Sequence, residues 1–319
     1  MLPPSRSRPP TIGLIGAPTD VGAGTRGTSM GPEALRVAGL VRALQHQGLP
    51  VHDRGNLHGP ANPERPAVAG YRHLPEVVAW NQRVFQAVQA ALAQGEMPLL
   101  LGGDHSLAVG SISAVAQHCA QAGRTLRVLW LDAHADGNTR ALTPSGNLHG
   151  MPVACLCGQG PRELTALTAQ APLHHALQPA QFRMIGLRSV DPGEKRWMQQ
   201  QDMEVFDMRA IDAIGMRAVV QQALAGLDAH SHLHVSLDLD FLDPGIAPGV
   251  GTPVPGGPTY REARLCMEMI ADSACLASLD VMELNPARDV RNQTAELAVD
   301  LIERLLGKST LARPRPAPL

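Results

Sequence analysis

The sequence predicts an α/β protein built on a mostly parallel sheet, and three observations predict it. Short apolar runs alternate with amphipathic stretches along the whole chain, which is the pattern of βαβ units. No shift in composition divides the 319 residues into two domains. The unusual polar residues recur just after apolar runs, and a parallel sheet gathers such positions at its C-terminal strand ends. Eight units of this kind suit a closed barrel and an open doubly wound sheet equally well.

Residues 1–10 are rich in Pro and Arg and are expected to form a disordered arm, leaving 11–307 as a single domain. The first strand is 11–16, closed by Gly-Ala-Pro. The Gly-rich stretch 21–28 contains neither GxGxxG nor a P-loop Lys-Ser/Thr, so it reads as a loop or subunit contact rather than a phosphate cradle. Gly31-Pro32-Glu33 opens a helix, because Pro suits the first turn, and Leu35, Leu40, Val41 and Leu44 give it an apolar face. A weak strand at 49–53, a Pro/Gly/Asn-rich loop at 55–70 and a helix at 74–93 follow. The third strand, 97–101, ends at Gly102-Gly103-Asp104-His105-Ser106, and a helix runs on to 122.

The fourth strand, 126–131, leads into a long polar loop, and a helix is expected at 161–169. Strand 182–186 precedes a helix opened by Pro192. Strand 203–206 precedes a helix at 210–227, and the seventh strand is 232–237. After a Pro/Gly-rich loop at 243–258 comes a helix at 259–271, with Thr259 as cap and Glu262 completing a capping box. The eighth strand, 277–282, ends at Glu283, a last helix covers 294–306, and 308–319 form a C-terminal tail, mobile or in a subunit contact.

Composition narrows the function. A formal charge of −2 and an aromatic content of 3% argue against a nucleic-acid surface. No apolar run approaches the roughly 20 residues of a membrane helix, and the N-terminus lacks a secretory h-region, so a cytoplasmic protein is expected. Five cysteines are an odd number in a long chain and imply no disulfide framework. Cys155-Leu156-Cys157 lacks the spacer of a zinc knuckle and reads as buried thiols.

The chemistry concentrates in 132–149. Asp132, His134 and Asp136 alternate with small residues, so in extended chain they face one way just past a buried strand. Asp238 and Asp240 repeat that alternation after the seventh strand, and His105 follows the third. Four carboxylates at one mouth repel and raise one another's pKa, and no Lys or Arg lies within these motifs. Two divalent cations offset the charge. Held about 3.5–4 Å apart by bridging carboxylates, they turn a shared water into a nucleophile near neutral pH. Four carboxylates and two imidazoles without a thiolate form a hard, oxygen-rich set that suits manganese, with zinc, iron or cobalt as alternatives.

These motifs resemble one family. GGDHS at 102–106, DAHAD at 132–136, SLDLDFLDP at 236–244 and GTPVPGG at 251–257 are similar to the ureohydrolases, the arginases, agmatinases and their relatives. The likeness runs from IGLIGAP at 12–18 to MELNP at 282–286. It implies a three-layer α/β/α sandwich around a parallel eight-stranded sheet. Within the family, SGNLHG at 145–150 and RSVDPGE at 188–194 look like arginase, and agmatinases lack the first segment because their substrate has no α-carboxylate.

The resemblance implies two Mn2+ per subunit, one held by His105, Asp132, Asp136 and Asp238, the other by His134, Asp132, Asp238 and Asp240, with Asp132 and Asp238 bridging. It assigns Asn138, Thr143 and Ser145 to the substrate α-carboxylate, and Asn147, Asp191 and Glu194 to the α-amino end. Glu283 pairs with the guanidinium, His149 shuttles protons, and Thr252 lines the mouth. The implied reaction is hydrolysis of L-arginine to L-ornithine and urea by a metal-bridging hydroxide, with Asp136 protonating the departing amine. A homotrimer or homohexamer is expected, with no nucleic-acid or membrane partner. Two positions depart from the pattern. Ser189 stands where many arginases have Asp, and Pro144 fixes a backbone angle inside the carboxylate-binding loop. The competing readings are an agmatinase or other guanidino-acid hydrolase, and a non-catalytic arginase-like regulator, which the complete set of six ligand positions disfavours.

Overall fold

The computed structural model describes residues 9–167 and 177–311. Eight strands form one parallel sheet: β1 (Ile12–Gly16), β2 (Val51–Asn56), β3 (Met97–Leu101), β4 (Thr125–Leu131), β5 (Phe182–Ile185), β6 (Glu204–Phe206), β7 (Ser231–Asp238) and β8 (Leu276–Met282). Their order is β2-β1-β3-β8-β7-β4-β5-β6. The sheet is open, so the barrel is excluded. After β3 the chain skips two positions to lay down β4, and β7 and β8 later fill the gap. The four central strands therefore come from both halves of the sequence, and their C-terminal ends form the crevice where ligands bind in such sheets.

Helices cover both faces. On one side lie α1 (Gly31–Val37), α2 (Leu40–His46), α8 (Met208–Ala223), α9 (Tyr260–Asp272) and α10 (Gln293–Leu305). On the other lie α3 (Leu74–Ala93), α4 (Ala108–Ala122), α5 (Pro152–Leu156), α6 (Arg162–Thr165) and α7 (Pro192–Gln200). This is a three-layer α/β/α sandwich. Strand residues alternate between two cores: Leu129 and Leu131 of β4 pack into the first, and Val128 and Trp130 into the second. Central strands buried on both faces read as nearly continuous apolar runs, which is why β3 (MPLLL) was legible. In α3, Val77, Trp80, Val84, Val88 and Ala91 recur at helical spacing and are all buried.

Most expected boundaries match within a residue or three, and the Thr259/Glu262 capping box is formed. Four expectations change. The helix opened by Gly31-Pro32 is two helices, because Gly39 adopts φ 89° between them. β2 extends to Asn56, into the expected loop. The helix expected at 161–169 spans only Arg162–Thr165, and 168–169 lie outside the described residues. The helix expected at 210–227 begins at Met208, where Asp207 accepts the Ala210 N–H at 2.8 Å, and ends at Ala223. Within it, Gly215 at φ 81° marks a kink. Most of the arm and most of the tail also lie outside the described residues. No helix among the described residues is long and apolar enough to cross a membrane. The five cysteines are all free, and Cys155 is buried with its thiol pushed up to about 12 by burial.

Candidate active site

The crevice at the C-terminal ends of β3, β8, β7 and β4 holds every expected metal ligand. His105 follows β3 in a single 3-10 turn whose cap is Asp104. Asp132 comes one residue after β4, and Asp238 is the last residue of β7. His105 Nδ1 faces three carboxylate oxygens, Asp238 Oδ2 at 3.0 Å, Asp132 Oδ2 at 3.1 Å and Asp136 Oδ2 at 3.3 Å. His134 Nδ1 faces Asp240 Oδ2 at 3.0 Å and Asp132 Oδ1 at 3.5 Å. Asp132 thus presents one oxygen to each imidazole. Donor atoms of His105, Asp132 and Asp136 converge on one point, and those of Asp132, His134 and Asp240 on a second.

The electrostatics are those of carboxylates crowded in a dry place. Burial and then the charge of Asp132 hold Asp136 well above the ordinary carboxylate range. Burial and then Asp240 do the same to Asp238. Burial disfavours charge on the imidazoles, yet Asp132 and its neighbours draw His105 up to about 9 and His134 up to about 12. Asp132 is the exception: burial opposes its charge, but hydrogen bonds from His105 and His134 hold it below the ordinary range. A cluster that raises three of its four acids and both of its bases is one that binds positive charge. Three carboxylates and two imidazoles gather in two clusters, with Asp238 Oδ2 3.0 Å from His105 Nδ1 beside the first, and this oxygen-rich set fits a pair of hard divalent cations.

The expected ligands are themselves held. Trp130 Nε1 donates to Asp132 Oδ2 at 2.9 Å, and the Trp130 ring stacks on His105 at 4.1 Å. Ser236 Oγ lies 2.9 Å from His105 Nε2, which leaves Nδ1 facing the carboxylates. Ala133 N–H donates to Asp240 Oδ1 at 3.1 Å, and Thr252 Oγ1 to Asp240 Oδ2 at 3.0 Å. Asp136 (φ 48°) and Glu283 (φ 63°) both adopt left-handed backbone. Each such residue costs about 1–2 kcal/mol, and their clustering in the crevice turns two carboxylates inward.

Above this floor opens a cavity of about 150 Å3 lined by Asn138, Thr143, Pro144, Ser145, Asn147, His149, Ser189, Asp191, Glu194, Thr252 and Glu283, with His105, His134, Asp136 and Asp238 at its base. Every expected substrate contact therefore faces one space, while Asp132 and Asp240 lie beneath it, fully covered. Some of these groups also serve the fold. Glu194 accepts Gly137 N–H at 3.0 Å and Asp191 N–H at 2.9 Å, joining α7 to the metal-ligand loop. Asn138 Nδ2 donates to Asp191 Oδ2 at 3.0 Å. Ser145 Oγ accepts Asn147 N–H at 3.2 Å, and Thr143 Oγ1 accepts Gly146 N–H at 2.9 Å, which shapes the turn around Pro144. The Oδ1 atoms of Asn138 and Asn147 and the Oε2 of Glu283 are buried without a hydrogen-bond partner among the described residues.

His149 Nδ1 lies 3.0 Å from Glu283 Oε1. Burial opposes charge on this ring, and Glu283 more than offsets that, so its pKa is raised. Glu283 itself is disfavoured by burial but held below its ordinary range by His149.

Sequence reasoning missed two parts of the site. No cation lies within the ligand motifs, but Arg188 reaches under them from the start of RSVDPGE. Its guanidinium donates to the carbonyls of Asp240 (2.6 Å), Val254 (2.7 Å), Phe241 (3.1 Å), Leu242 (3.1 Å) and Gly186 (3.2 Å). It pins the loop carrying Asp240 and Thr252 while placing a positive charge near the carboxylates. Arg188→Met is expected to cost roughly 3 kcal/mol or more, since several carbonyls lose a charged donor. A denaturation midpoint within error of the parent would contradict this.

The other part is a polar ladder on the α4 side of β7 and β8. His232 Nε2 and His234 Nδ1 approach Ser278 Oγ at 2.9 and 2.8 Å, His234 Nε2 meets Asp280 Oδ2 at 3.1 Å, and Ser111 Oγ donates to Asp280 Oδ1 at 2.6 Å. Burial drives His232 down to about 3, so it is neutral. The alternation in HLHVSLD was its signal, because a strand central to a parallel sheet has no solvent face on which to put those polar residues.

Comparison with known proteins agrees with this geometry. The model of the arginase family matches residues 10–307. The arginase of Bacillus subtilis is 42% identical over 302 residues, covering 94% of this chain and 99% of its own. The arginase of Brucella melitensis is 44% identical over 303 residues, covering 94% and 97%. The crystal structure of arginase from Bacillus caldovelox superposes with a TM-score of 0.88 at 39% identity, covering 95% of this chain and all of that one. With its fold, its convergent donors and its motifs all matching over nearly the whole length, the chain belongs to the arginase family.

Proposed function

We propose that this chain hydrolyses L-arginine to L-ornithine and urea, using two divalent cations read as manganese. The observation that carries the reading is Glu283, which lines the cavity together with Asn138, Thr143, Ser145 and Asn147 and whose buried Oε2 has no hydrogen-bond partner among the described residues. An unpaired buried acceptor is costly, and a cationic guanidinium satisfies it. The other four supply amide and hydroxyl groups, which suits an α-amino acid.

His105, Asp132, Asp136 and Asp238 would hold one cation, and His134, Asp132, Asp238 and Asp240 the other. When bound, the pair activates water as a nucleophile near neutral pH. The residues do the rest. Glu283 orients the flat guanidinium with its carbon toward the floor. The free Oδ1 of Asn147, with Asp191 and Glu194, receives the α-ammonium, partly through water. Thr143 and Ser145 hydroxyls and the second Nδ2 hydrogen of Asn138 receive the α-carboxylate. Thr252 keeps Asp240 oriented at the mouth. Asp136 delivers a proton to the departing amine nitrogen, and His149, next to Glu283, relays protons between that site and the cavity.

Urea release from L-arginine, agmatine and 4-guanidinobutyrate, with bound metal measured by mass spectrometry, tests the proposal. L-Arginine is expected to be preferred, with manganese at two per chain. Agmatine surpassing L-arginine would overturn the role of the 138–149 loop. Ser145→Ala is expected to raise KM for L-arginine several-fold while kcat stays within about twofold, because Ser145 touches a non-reacting end of the substrate. A low kcat with unchanged KM would refute that role. We read the chain as a cytoplasmic homotrimer or homohexamer from the family likeness, and light scattering on the purified chain checks the assembly.

A further inference from the structure

The Gly-rich stretch at 21–28 has no part in the mechanism above, yet it lies against it. Asp104 is fully buried and joins that stretch to the metal-ligand loop. Its backbone N–H donates to Thr19 O at 3.0 Å. Its Oδ1 accepts Ser106 N–H at 3.1 Å, as an ordinary cap. Its Oδ2 instead reaches 82 residues away in the chain to accept Gly22 N–H at 2.9 Å. The carbonyl of the same Gly22 accepts the His149 N–H at 3.0 Å. The ring end of His149 meets Glu283 Oε1, which also accepts the backbone N–H of His105 at 2.9 Å. Asp104, Gly22, His149, Glu283 and His105 therefore close a ring, in which both ends of His149 are tied to one dipeptide. Gly22 leaves no slack: a Cβ there would stand 2.5 Å from Asp104 Oδ1 and 2.6 Å from Ser106 Oγ.

We propose that Asp104 is a positioning residue for His149, acting through the peptide of Gly22. A cap for the short helix after β3 needs one acceptor. The second acceptor is spent on the N–H of Gly22, the residue whose carbonyl holds the His149 backbone. The inference rests on the reading of His149 as a proton shuttle in guanidine hydrolysis.

Asp104→Asn tests it, since the amide offers one acceptor and sets its own N–H2 against a backbone donor. Gly22→Ala tests it a second way, displacing Asp104 while leaving its charge, and carries the experiment if the first variant fails to fold. Each is expected to lower kcat for L-arginine about tenfold or more, a part of what a general acid or base contributes. KM should stay within about twofold and bound metal should equal the parent. In a His149→Asn background neither substitution should cost anything further, because residues acting through one another do not add. Losses that multiply in that background, or a fall in bound metal that tracks kcat, overturn the proposal. The unaltered chain is assayed alongside: absence of urea release there overturns the function itself, whereas urea release with multiplying losses overturns only the role of Asp104.

Discussion

Asp136→Asn is expected to lower urea release at least about a hundredfold, within the range that a positioned acid or base supplies. Two effects combine. The amide has one acceptor oxygen in place of a carboxylate whose Oδ2 lies 3.3 Å from His105 Nδ1, so one of the two convergent donor sets is weakened. The amide also carries no proton that it can give to the departing amine. Asn is the right substitution because position 136 has φ 48°, a left-handed conformation that Asn tolerates as well as Asp does. The melting temperature of the metal-free protein should therefore hardly change, while bound metal falls. Near-parental turnover with full metal would contradict both assignments.

Glu283→Gln is expected to reduce kcat/KM for L-arginine by about 30-fold to several thousandfold, equivalent to the roughly 2–5 kcal/mol lost when one partner of a buried charge pair is removed. Glu283 serves two groups through Oε1, which accepts the His105 N–H at 2.9 Å and lies 3.0 Å from His149 Nδ1, and its Oε2, unpaired among the described residues, is the oxygen proposed to take the guanidinium. Glutamine keeps the shape but loses the charge and one acceptor. A second sign follows. Burial lowers the pKa of His149 and Glu283 raises it, with the net effect upward. Removing the carboxylate should then move the His149 titration to lower pH, which NMR of the ring protons can follow. A kcat/KM within threefold of the parent, or a titration unmoved, would remove Glu283 from the site.

Much of the molecule was legible before folding because its signals are local. β3, a run of five apolar residues ended by Gly-Gly, and α3, with its apolar face at helical spacing, were placed to the residue. The residues of the two donor clusters were legible because alternation in an extended chain needs no partner to be recognised. What failed was also local in origin: Gly39 broke a helix through backbone freedom that apolar periodicity does not register. Arg188 was missed for a different reason. Its work is done on carbonyls near residue 240 and at Val254, and nothing at 188 announces them.

The sequence by itself determined the alternation of strands and helices, the residues of the donor set and, through motif likeness, the family. Those properties are written in spacing along the chain. The pattern of strands left barrel and open sheet equal, and the motif likeness implied the open sandwich; only the tertiary structure decided that β3, β8, β7 and β4 stand side by side, and hence that His105, Asp132 and Asp238 meet within hydrogen-bond distance. It alone showed Glu283 Oε2 unpaired among the described residues, Arg188 beneath the carboxylates and Asp104 tied to His149 through Gly22. Strand order depends on long-range packing of both apolar faces, and so do the contacts that order creates. A chain read residue by residue carries the groups but not their distances.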